Sequence, residues 1–88
     1  MSQVNEWLAL LRVHEGGVTK LDGNYLNQGR PVAGYLAEAI DELIRSERLA
    51  LGRATPSGQQ QVCVTYAGQV RYAELNTNGV REARRGGR

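Results

Sequence analysis

Cys63 and His14 are the single cysteine and single histidine of the chain, so they are where nucleophilic or general-base chemistry at neutral pH would start. Cys63 alternates with Val62 and Val64 in a stretch of strand periodicity, and a small buried hydrophobe is the expected role there. A reactive thiol needs a neighbouring base in an electropositive niche, and the sequence offers none beside it. His14 falls at the end of a helical stretch. Glu38, Asp41 and Glu42 bring three carboxylates close together, but helical spacing sets them on a solvated face. Gly16-Gly17 follows a helix rather than a strand, so it does not form a phosphate loop. One cysteine gives neither an internal disulfide nor a metal-ligand cluster. No catalytic residue, metal or cofactor is expected, and the chain reads as a non-enzyme.

Arginine is the other chemistry on offer. Ten of the eleven basic residues are arginine, whose planar fork matches phosphates and guanine edges. The net charge of +2 is unevenly spread: residues 1–52 carry −2, and residues 53–88 carry +4. Three groups could meet nucleic acid. The first is the start of a long helix, with Arg30, Ala33, Gly34 and Tyr35, where small residues permit close approach to a groove. Against this, Ala33 and Gly34 could simply pack on the first helix. The second is a ribbon tip with Arg53, Thr55, Ser57, Gln59, Gln60 and Gln61, whose hydroxyls and amides suit phosphate oxygens. Its plain alternative is a solvated loop. The third is the ending, with Arg81, Arg84, Arg85 and Arg88, which suits a narrow minor groove or merely aids solubility.

These groups need elements to position them. Val4, Trp7, Leu8 and Leu11 recur at helical spacing, and Leu10 and Val13 widen that stripe, which predicts a helix over 3–14 packed on more than one side. Gly16-Gly17 stops it. Residues 18–30 read as a short hairpin, because Asp22-Gly23 supplies the positive backbone angles of a primed turn, with a loop or a degenerate second helix as the alternatives. Arg30-Pro31 is expected to open the next helix, 32–49, with proline in the first turn. Val32, Leu36, Ala39, Ile40 and Leu43 share its buried face, with Ile44 at the edge. Glu38, Asp41, Arg45 and Arg48 share the other face, and Asp41 and Arg45 are spaced for an ion pair.

Leu49 and Leu51, then Val62 and Val64, alternate as a two-stranded ribbon around a type I turn at Thr55-Pro56-Ser57-Gly58. Thr65 is placed to cap a closing helix by accepting the Gly68 amide, and Gly68 lets another backbone pass closely. Apolar residues nearly vanish from Asn76 onward. A domain over 1–76 and a disordered arginine-rich tail over 77–88 are therefore expected.

Eighty-eight residues support one modest core. Trp7, Leu10 and Val13, with Tyr72 and Leu75, exceed what such a core easily buries, so a homodimer using the first and last helices is expected. No apolar run approaches the ~20 residues of a membrane span. The N-terminus lacks a basic start before an apolar stretch, which with the lone cysteine points to the cytoplasm.

Helix, ribbon, Thr65-Tyr66-Ala67-Gly68 and closing helix, in that order, resemble the second half of the winged-helix domain of MarR-type and PadR-type transcriptional regulators. The resemblance covers about half the chain. It implies an α+β, winged-helix-like fold and double-stranded DNA as partner, in a small regulator or a mobile-element accessory factor. The 18–30 hairpin stands where a standard winged helix has its second helix. The alternative is a protein-interaction or dimerisation module on the same scaffold. The two separate on charge. Convergence of Arg30, the ribbon tip and the tail on one positive face favours DNA; scatter favours the interaction module.

Overall fold

Capping residues and turns set the element boundaries in the computed structural model, which describes residues 2–77. Helix α1 (Gln3–Glu15) starts at Ser2, whose hydroxyl accepts the Asn5 amide at 3.0 Å, and ends at Gly16 with φ 88°. Trp7, Leu8, Ala9, Leu10 and Val13 are all buried, as the widened stripe requires of a helix packed on several sides.

Three strands follow as a meander: β1 (Val18–Leu21), β2 (Asn24–Asn27) and β3 (Arg30–Pro31). Asp22 and Gly23, at φ 52° and 81°, form the expected primed turn between Leu21 and Asn24. Gln28 and Gly29 repeat those angles and close a second two-residue hairpin. That repeat corrects the expectation at Arg30-Pro31. Arg30 pairs with Asn27 and Pro31 with Leu26, so both lie in an edge strand rather than a helix start. Proline is tolerated there because an edge strand need not donate on both sides.

Helix α2 accordingly spans Gly34–Arg45, shorter at both ends than the 32–49 expected. Its buried face is the expected one: Leu36, Ala39, Ile40 and Leu43. Glu47 takes a left-handed φ of 63°, and the Arg48 amide donates to the Leu43 carbonyl at 2.8 Å, which turns the chain into a strand.

Strands β4 (Leu49–Ala54) and β5 (Gln60–Val64) form the ribbon. At its tip the Gly58 amide donates to Thr55 O at 2.8 Å. The ribbon is not free-standing. Thr19 pairs with Gln61 and Lys20 with Gln60, so the two hairpins join in one antiparallel five-stranded sheet, ordered β3-β2-β1-β5-β4.

Helix α3 (Tyr66–Thr77) is capped as expected, with the Gly68 amide donating to Thr65 Oγ1 at 3.1 Å. Thr77 is its last residue and donates its hydroxyl to Ala73 O at 2.9 Å, which corrects the placing of Thr77 in a tail. The rest of the expected tail lies outside the described residues.

The helices cover one face of the sheet, where Val18, Tyr25, Leu49 and Val62 meet α1, α2 and Leu75 of α3. The other face, with Thr19, Leu26, Ala50, Gln61 and Cys63, carries no helix among the described residues. Among the described residues, three helices and a five-stranded antiparallel sheet make a small, compact α+β domain.

That arrangement corrects the premise of the expected dimer contact. Trp7 is 5% exposed, Val13 4%, and Leu10 and Leu75 0%, all within a single chain. Tyr72 is half-buried, with its ring 6.5 Å from Trp7 and 5.7 Å from His14. One core does bury them, because α1 runs between α2 and α3 and presents apolar residues to both.

Candidate functional site

The start of α2 is open. Ala33 and Gly34 are exposed, a Cβ on Gly34 would meet nothing within 4 Å, and Tyr35 is 52% exposed. Ala33 and Gly34 thus do not serve as packing residues against α1.

In the ribbon tip, Arg53, Thr55 and Ser57 are exposed. Of its three glutamines, Gln61 is exposed and the other two are engaged internally. Gln59 Nε2 donates to Thr19 Oγ1 at 3.0 Å, and Gln60 Nε2 donates to Gly52 O at 3.1 Å. They pin the tip to the sheet, across the irregularity between Leu51 and Ala54.

Strand direction decides which groups share an end. β5 runs antiparallel to β1, so the tip lies at the Asp22-Gly23 end of the sheet. β3 runs the same way as β1, so it delivers the start of α2 to that end as well. Arg30 is at the other end, around a shallow cleft with Arg12, Glu15, Asn27 and Gln28. It also sits on the strand at one edge of the sheet, while Arg53 is on the strand at the opposite edge. Four strand spacings separate those edges, roughly 19 Å. Arg81, Arg84, Arg85 and Arg88 lie outside the described residues.

Much of the body's positive charge is neutralised internally. Glu6, on α1, is 5% exposed and accepts from Arg71 Nε at 2.8 Å, Arg71 Nη2 at 2.9 Å and Arg48 Nη1 at 3.3 Å. These hydrogen bonds raise the Arg71 pKa, with Glu6 the chief cause. Arg12 pairs with Glu15 at 3.1 Å and Arg45 with Glu42 at 2.8 Å. Among the described residues, Arg30 and Arg53 make no ion pair. Residues 2–77 hold seven basic and eight acidic side chains, a net −1, whereas residues 78–88 hold four arginines and Glu82, a net +3.

The Glu6 cluster was missed from sequence, although a signal existed. Glu6, Leu10 and Val13 are spaced four and three apart, which places the carboxylate on a buried face of α1.

Two further assignments change. Asp41 does not pair with Arg45; its Oδ1 accepts the Tyr25 hydroxyl at 2.5 Å, because the hairpin brings Tyr25 under α2. Burial first, then that hydrogen bond, pushes the Tyr25 hydroxyl pKa up. Cys63 is exposed rather than buried. Alternation along β5 sends Val62 into the core and Cys63, opposite Ala50, onto the uncovered face.

The outer face of α2 forms a groove of about 590 Å³ lined by Asn5, Tyr35, Glu38, Ala39, Asp41, Glu42 and Arg45. Three carboxylates and one guanidinium give it a net −2. Among the described residues no group of three His, Cys, Asp or Glu is placed to hold a metal ion, and no helix is long and apolar enough to cross a membrane. No family model, curated protein or solved structure matches the chain.

Proposed function

We propose that the folded body is a protein-interaction module on a winged-helix-like scaffold, and that it does not read DNA by itself. The observation that carries this is the dispersal of its uncommitted arginines. Arg30 and Arg53 occupy opposite edges and opposite ends of the sheet, on a body of net −1. The outer face of α2, which would have to enter a groove, is acidic. Phosphates repel such a face, and without clustered cations there is little counterion release to drive association.

The test is a mobility-shift titration of the full chain against its Arg81→Gln/Arg84→Gln/Arg85→Gln/Arg88→Gln variant, on duplex DNA at several salt concentrations. The variant is expected to bind no fragment even at low salt. A variant that still binds, with affinity falling steeply as salt rises, overturns the reading.

A second reading, double-stranded DNA binding by the whole chain, is favoured by a different observation. The start of α2 and the ribbon tip lie at one end of the sheet, and residues 78–88 bring a net +3. A regulator or accessory factor of this kind would neutralise ~4–6 phosphates and show a log–log salt slope of about −4 to −5. That slope in the wild-type chain, lost in the glutamine variant, transfers the assignment to this reading.

A further inference from the structure

We propose that the outer face of α2 is the docking surface for the arginine-rich C-terminal segment, residues 78–88, of the same chain. This rests on the reading above only in treating that face as an interaction surface.

Charge complementarity is the first support. The groove carries a net −2 from Glu38, Asp41, Glu42 and Arg45, while the segment carries +3. Arg45 is already held by Glu42 at 2.8 Å, so it does not guard the groove with a loose cation. Guanidinium groups suit this site chemically. Their planar forks match carboxylates, and they stack on aromatic faces such as the half-exposed Tyr35 ring.

The second support is where the described chain ends. Trp7 Nε1 donates to Asn76 Oδ1 at 2.8 Å, which fixes the end of α3 against the first half of α1. Asn5, two residues from Trp7, lines the groove on the α2 side. The described chain therefore ends across α1 from the groove, two helix-packing distances or roughly 16–20 Å from α2. Eleven residues reach up to roughly 36–40 Å when extended. Tethering at such a distance sets an effective concentration in the mM range, so even weak ion pairing fills the groove.

The experiment needs no DNA, so its outcome is separate from that of the mobility-shift assay. Amide ¹H–¹⁵N spectra would be compared for the full wild-type chain, the four-fold arginine-to-glutamine variant and Glu38→Gln/Glu42→Gln. Every substituted residue among the described ones is exposed, and the resonances of buried Leu10 and Val62 report whether the fold is kept. The amides of Tyr35, Glu38, Asp41 and Glu42 are expected to shift between wild type and the arginine variant. Those differences should shrink as salt rises from about 50 mM to about 500 mM, and the Arg84 and Arg85 amides should move in Glu38→Gln/Glu42→Gln. The pattern should persist on tenfold dilution. Spectra that superimpose over α2 overturn the proposal. So do shifts that map elsewhere, or shifts lost on dilution, which would mean that a second copy supplies the segment.

Discussion

Arg71 grips Glu6 in a two-pronged contact, Nε to Oε2 at 2.8 Å and Nη2 to Oε1 at 2.9 Å, across 65 residues of sequence. The contact ties α3 to α1, and Arg48 adds a third donor from the loop before β4. The Glu6 side chain is only 6% exposed, so its charge has little water to fall back on. A buried pair of this kind contributes modestly in net terms, but removing one partner strands the other.

Arg71→Leu should therefore cost about 2–4 kcal/mol, the low side of the usual range because Arg48 remains. For a domain of this size that lowers Tm by roughly 10–25 °C. Glu6→Leu/Arg71→Leu should recover a large part of the loss, since no unpaired charge is left behind. Equal losses in the single and double variants, measured by thermal unfolding, would point to packing rather than the ion pair.

Tyr25 gives the chain a pH dependence at its alkaline end. The native state keeps the hydroxyl proton, because burial and Asp41 raise its pKa, while the unfolded chain loses it near the ordinary value of about 10. Above that pH the unfolded state binds fewer protons than the native state, so stability falls as pH rises and is intact below it. Urea midpoints between about pH 8 and about pH 11 should decline. Tyr25→Phe should be less stable at neutral pH, having lost the bond to Asp41, yet decline less steeply. An unchanged slope would exclude Tyr25 as the source.

At Gly68 helix propensity and packing point in opposite directions. Alanine is favoured over glycine in a helix by about 1 kcal/mol. A Cβ at this position, however, would lie 2.0 Å from the Arg48 carbonyl oxygen. That backbone is held in place by Thr65, whose amide donates to Arg48 O at 3.1 Å and whose hydroxyl donates to Glu47 O at 2.7 Å. Gly68→Ala should destabilise by about 2 kcal/mol or more, since the clash outweighs the propensity gain. The exposed neighbour Ala67 is the control: Ala67→Gly should cost about 1 kcal/mol by propensity alone. A neutral Gly68→Ala in denaturant unfolding would mean the junction yields easily.

Leu75 and Val70 separate core from surface on α3. Leu75 is 0% exposed and Val70 42%. Leu75→Glu should abolish cooperative unfolding, because an unpaired carboxylate would sit in the core. Val70→Glu should unfold within about 0.5 kcal/mol of the wild type. A folded Leu75→Glu monomer in sedimentation, dissociated from a wild-type dimer, would instead restore Leu75 as a subunit contact.

The local chemistry of each turn and cap was written in the chain. Asp22-Gly23, Thr55-Pro56-Ser57-Gly58, Ser2 and Thr65 act through neighbours within a few residues, so spacing alone was enough to read most of them. The buried face of α2 was legible for the same reason, since its periodicity repeats every turn. Gln28-Gly29 carried the same kind of signal. Pro31, however, fits the start of a helix as well as an edge strand, and only pairing with Leu26 distinguishes the two.

What tertiary structure alone decided were the relations between distant segments. Pairing of β1 with β5 turned two hairpins into one sheet and thereby set Arg30 and Arg53 far apart. The same sheet left Cys63 on an uncovered face, and the stacking of α1 between α2 and α3 drew Trp7, Leu10 and Leu75 inside a single core. Periodicity says which side chains share a face of an element, but not which element comes to cover that face. That choice depends on contacts dozens of residues apart, and the pairs Glu6–Arg71 and Tyr25–Asp41 exist only once those contacts have formed.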